Sequence, residues 1–141
     1  MKTLCFLTRQ AIFDKAVRHL FSQSHAGLSP RRGGAYRGYC GGCPVGNFIA
    51  PGDYITAMEG VPVLFVDAAA SVAPSYMEVA IRALKGALLR SRINVYDRST
   101  IELLNCLQNT HDVVGKWEWR DRLESIARQF GLCAELLEHA A

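Results

Sequence analysis

The chain has 141 residues, half of them hydrophobic and 21% charged, with a formal net charge of +3. That length carries one domain with a proper core and is short for two, and the composition excludes a disordered or fibrous chain. The apolar start ends at Leu7, ahead of Arg9 and Asp14, so no export signal is read, and Arg82 and Lys85 interrupt the apolar stretch from Val79 to Leu89, so no membrane span is expected either.

Five cysteines without regular spacing, Cys5, Cys40, Cys43, Cys106 and Cys133, point to reduced thiols in a cytoplasmic protein rather than a disulfide framework. Charge is unevenly spread. Residues 1–52 carry seven Lys or Arg and one Asp, whereas residues 101–141 carry four basic and seven acidic residues. One end of the chain can therefore face an anionic partner.

In chain order, Ile12, Phe13, Ala16, Val17, Leu20 and Phe21 form one apolar stripe and predict a helix over 9–23, with Thr8 as its N-cap. Residues 25–42 hold six glycines, a proline and three arginines with no carboxylate, which reads as a long exposed loop. Pro44 at a first helical position predicts a short helix over 45–50 with Cys43 as N-cap, ended by Pro51-Gly52. Val61 to Val66 is β-branched and aromatic, which predicts a short strand, at an edge because of Pro62.

Ser75-Tyr76-Met77-Glu78 has the form of a capping box and opens a helix to about residue 91, with Met77, Ala80, Ile81, Leu84 and Leu88 inward. A second box, Ser99-Thr100-Ile101-Glu102, opens a helix with Leu103, Leu104, Leu107, His111 and Val114 on one side, stopped by Gly115. The next helix, over 116–130, turns Trp119, Leu123, Ile126, Ala127 and Phe130 inward and ends at Gly131. A short tail helix over 134–139 closes the chain. The expected fold is mainly α: a single-domain helical bundle over 1–141 with a long Gly/Arg-rich loop and at most a small β element.

Cys43 is the first residue to carry chemistry. A thiol at a helix N-terminus meets free N–H groups and the positive end of the dipole, which favour thiolate; the alternative is a small buried hydrophobe packed against glycines. His111 lies near the centre of its helix's apolar stripe and faces either core or pocket, while Cys106 points the opposite way. Asp112 is expected to face away from that imidazole, leaving Glu59, Asp53 and Gln108 to orient it in any triad. Cys40 and Cys43 have CxxC spacing, but a structural zinc needs a second ligand pair that the sequence does not supply, so no cofactor is expected.

The loop interleaves Arg31, Arg32 and Arg37 with Tyr36 and Tyr39, a pattern that serves phosphate contact and base stacking. Arg37 has an alternative role, pairing with Glu59 or Asp53 to hold the loop to the body.

Taken together, Ala35-Tyr36-Arg37-Gly38, Cys43-Pro44-Val45-Gly46, Ile49, Tyr54, Met58-Glu59-Gly60, Leu107-Gln108-Asn109-Thr110-His111-Asp112 and Phe130-Gly131-Leu132 resemble a family of small proteins of bacteriophages and bacterial genomes, over most of residues 11–132. The glycine loop and the Cys-x-Val-Gly step are fixed points of that family, and Cys40 departs from it. The resemblance brings no activity; it implies a phage or mobile-element setting within a bacterial host. The expected function is an accessory protein that binds and modulates a bacterial host protein or a defence or nucleic-acid-processing complex, with inhibition the expected outcome, through Arg31, Arg32, Tyr36, Arg37, Tyr39 and Trp117. The alternative is a thiol enzyme acting on an amide or thioester, with Cys43 as nucleophile, His111 as general base and Glu59 as the orienting carboxylate.

Overall fold

The computed structural model describes residues 5–22, 43–67 and 73–138. Within them the protein is mainly α-helical: α1 (Arg9–Ser22), α2 (Glu78–Arg90), α3 (Arg98–Val113), α4 (Trp119–Phe130) and the short α5 (Glu135–Glu138). Among the described residues there is no strand, and no helix is long and apolar enough to cross a membrane.

Helix α3 is the central element. It packs against α1, α4 and a 3-10 turn over Val63–Val66, which in turn lies on α2. The reason is visible in its side chains: Ile101, Leu103, Leu104 and Leu107 are all fully buried, so the helix is apolar over more than one stripe and is wrapped rather than laid on a surface. Helix α1 brings Ile12, Phe13, Ala16, Val17 and Leu20 to that core, and α4 brings Trp119, Leu123, Ile126 and Ala127.

Helix starts depart from the sequence pattern in two places. Thr8 does cap α1, its Oγ1 accepting from the Ala11 N–H at 3.1 Å. Ser75, by contrast, opens a 3-10 turn over Ser75–Met77, closed by Met77 N–H to Pro74 C=O at 3.0 Å, and the α-helix begins only at Glu78. Helix α3 starts at Arg98 with Asp97, not Ser99, in the N-cap position. The Thr100 hydroxyl donates to the Asp97 carboxylate at 2.6 Å and Arg9 at 3.1 Å, and these contacts, Thr100 foremost, hold Asp97 below the usual carboxylate range.

The predicted strand over 61–66 is the 3-10 turn Val63–Val66. Its β-branched residues are there for burial, with Val61, Val63 and Val66 all in the core, and the Val63 N–H donates to Gln108 Oε1 on α3 at 3.1 Å. A side chain thus takes the place that a neighbouring strand would have filled. Just before it, Met58-Glu59-Gly60-Val61 makes a type II turn: Val61 N–H reaches Met58 C=O at 3.1 Å, Glu59 has φ −62° and ψ 133°, and Gly60 has φ 81°. That positive φ is the reason for glycine at position 60.

Helices α2 and α4 end in the same way. Leu132 N–H bonds Ala127 C=O at 2.7 Å around Gly131 at φ 66°, and Ile93 N–H bonds Leu88 C=O at 3.0 Å around Arg92 at φ 68°. Both are left-handed stops in which the residue after the cap takes positive φ. Arginine is disfavoured there, because its Cβ crowds the carbonyl. Arg92→Gly is therefore expected to raise stability by about 1 kcal/mol, read as a higher midpoint in urea unfolding at unchanged slope.

Candidate functional site

The segment after residue 42 brings Cys43 into the core at 0% exposure. Pro44 and Val45 turn the chain into a three-residue 3-10 helix, Gly46–Phe48, rather than the six-residue helix expected over 45–50. Asn47 N–H bonds Cys43 C=O at 3.2 Å, and the Gly46 N–H donates to Cys43 Sγ at 3.4 Å. The thiol is not the N-cap that its position before Pro44 predicts: Val45 takes that position, and Cys43 lies two residues ahead of it.

The expected thiolate does not follow. Burial pushes the Cys43 thiol up to about 12 from an ordinary 9.0, against the Gly46 and Val45 amides that pull it down, and the Asp112 and Glu59 carboxylates add to the rise. Three residues of helix carry little dipole, so desolvation and two negative neighbours win.

His111 sits in the last turn of α3, 3% exposed. Its ring lies 6.2 Å from that of Trp119, tilted by 33°. Nδ1 is 3.0 Å from Asp112 Oδ1. A carboxylate only accepts, so Nδ1 carries a proton and donates it to Asp112. Nε2 is buried and has no hydrogen-bond partner among the described residues. This corrects the expectation for Asp112: although neighbours on a helix point about 100° apart, its short side chain swings back onto the imidazole beside it.

The three residues considered for that orienting role are engaged elsewhere. Glu59 Oε1 accepts from the Tyr54 hydroxyl at 2.7 Å, Asp53 pairs with Arg90 at 2.9 Å, and Gln108 holds the Val63 amide. Asp112 and Glu59 each lie within electrostatic reach of the Cys43 thiol, and Asp112 also holds His111. The arrangement can hold and orient a proton on His111. It offers no ready thiolate.

Cys106 is half-buried, and burial also raises its thiol. Among the described residues no group of three or more His, Cys, Asp or Glu is placed to hold a metal. Of the residues expected to meet a partner, Trp117 is 85% exposed on the 3-10 turn Lys116–Glu118. Arg31, Arg32, Tyr36, Arg37 and Tyr39, together with Cys40, lie outside the described residues, and so does any pairing of Arg37. Sequence reasoning set Asp112 aside as facing away from the imidazole, and its adjacency to a histidine at a helix end was the signal for it.

No protein-family model, no curated protein and no solved structure matches the chain.

Proposed function

We propose that this chain is a binding protein of phage or mobile-element type, which docks on a bacterial host protein or a defence or nucleic-acid-processing complex and inhibits it. The observation that carries the reading is Trp117. A tryptophan exposed at 85% is a poor choice for a surface that meets only water and a good one for an interface anchor. Its ring lies over Gly115, where a Cβ would stand 2.7 Å from it. Glycine there leaves room for the ring to keep one orientation, which lowers the ordering cost of binding. The motif resemblance to small bacteriophage proteins and the basic balance of residues 1–52 support the same setting, in the cytoplasm of the host.

The test is co-purification from a bacterial host. Trp117→Ala is expected to weaken capture of the host protein by about 30-fold, as for an interface anchor, and Gly115→Ala to weaken it by displacing the ring. Reversal of Arg31, Arg32 and Arg37 to glutamate is expected to abolish it, and Cys43→Ala to leave it intact. Capture that survives Trp117→Ala, or that is lost in a folded Cys43→Ala protein, would sink the reading.

A second reading, the thiol enzyme, is favoured by one observation, the Asp112-held imidazole whose Nε2 is unpartnered among the described residues. In it His111 takes the Cys43 proton, with Asp112 in place of Glu59 as the orienting carboxylate.

A further inference from the structure

Helix α2 carries a surface whose composition does not suit water. Val79 on its outer side is 72% exposed, and Tyr76 and Tyr96 flank it at 80% and 72%. Between α2 and the Val63–Val66 turn opens a cleft of about 520 Å³, floored by Phe65, Val66 and Ile81 and rimmed by Glu78, Arg82 and Lys85. A cleft of that size is enough to take one or two apolar side chains.

The charge around it is net positive, with Arg82 and Lys85 on the rim against the single carboxylate of Glu78. Residues 73–98 carry five Lys or Arg and two carboxylates. Arg90 and Arg98 pair with Asp53 and Asp67, away from the cleft rim. Arg82 meets Glu78 at 3.0 Å with both side chains more than two-thirds exposed, a contact that holds neither strongly. Lys85 has no carboxylate partner among the described residues; its Nζ stands 4.8 Å from the centre of the Tyr96 ring, where a cation–π contact keeps the ammonium at the cleft.

Resting on the binding reading above, we propose that this cleft docks a segment of the partner protein that inserts an apolar side chain over Phe65 and Ile81 and sets carboxylates against Lys85 and Arg82. The apolar floor supplies the affinity and the two cations the register. A nucleic acid fits worse: its flat bases need an open aromatic face to stack on, whereas this floor is concave and sets only Phe65 beside the aliphatic Val66 and Ile81.

The experiment pans a random dodecapeptide library, displayed on filamentous phage, against the immobilised protein. The expected result is enrichment of peptides that combine Asp or Glu with an aromatic or large aliphatic residue. Their binding should fall at least tenfold against an R82E/K85E protein. Arg82 is exposed and Lys85 half-buried, neither in the apolar core, and circular dichroism verifies that the double variant keeps its fold. No enrichment, enriched peptides without carboxylates, binding indifferent to R82E/K85E, or displacement of the peptides by oligothymidylate would each overturn the proposal. If it fails while Trp117→Ala still releases the host protein, docking runs through the Trp117 surface alone; if Trp117→Ala also has no effect, the binding reading falls with it.

Discussion

Replacing Trp119 by alanine is expected to cost about 3–5 kcal/mol of stability. The indole is fully buried, the largest side chain in the core. It is held at both ends: Nε1 donates to the Val114 C=O at 3.1 Å, and the ring meets Phe21 edge-on at 6.3 Å and His111 at 6.2 Å. Truncation would open a cavity where α1, α3 and α4 converge and would leave the Val114 carbonyl unpaired. In a domain with a stability of order 5–15 kcal/mol, that is a large share of the whole. The measurement is chemical unfolding followed by circular dichroism, with Trp119→Phe beside it. Phenylalanine keeps the ring packing and loses the donor, so it should cost about 1–3 kcal/mol. If the two variants cost the same, the hydrogen bond rather than ring packing dominates and the account of the core here is wrong. Because Trp119 also walls the His111 side of the site, the alanine variant should free the imidazole to reorient.

The helices were legible because their burial follows a local period. The stripes Ile12 to Leu20, Leu103 to Leu107 and Trp119 to Ala127 each predict a face, and each face is buried. What lies between α1 and α2 was not legible, for a physical reason. The 3-10 turns over residues 46–66 are too short for any period to show, and they are fixed by distant partners: Gln108 on the Val63 amide, Ser91 Oγ on the Phe48 carbonyl, Arg90 on Asp53. A run of Val and Phe in such a segment has the composition of a strand and the burial of one, without a neighbour to pair with. The capping boxes failed for a similar reason. Asp97 offers a charged acceptor one position before Arg98, with Arg9 from another helix to neutralise it, and a local Ser–Glu pattern does not register a partner 88 residues away. Asp112 was judged from helical geometry alone, which places Cα–Cβ directions but not the side-chain torsions that bring its carboxylate to Nδ1.

The two readings of Cys43 separate on alkylation, and the expected difference is large. With the thiol pushed up to about 12 from 9.0, its thiolate fraction at pH 8 is about a thousandfold below that of an ordinary cysteine, before access is counted. Iodoacetamide followed by peptide mass spectrometry should therefore modify Cys5 and Cys133, which are exposed, and leave Cys43 untouched until the chain unfolds. The same shift sets a pH dependence of stability. Below pH 9 both folded and unfolded chains keep the proton and the group contributes no slope. Between about pH 9 and 12 the unfolded chain releases it while the folded chain holds it, so stability falls as pH rises, by up to about 1.4 kcal/mol per pH unit. Cys43→Ala should remove that part of the alkaline slope. Rapid alkylation of Cys43 below pH 7 in the folded protein would contradict the burial argument and move the thiol enzyme ahead. In the thiol-enzyme reading, where His111 is the base, His111→Ala and Asp112→Asn would then be expected to slow that alkylation. An inert Cys43 leaves the packing role standing and favours the proposed binding reading, in which Trp117 and the cleft of α2 are the surfaces to test.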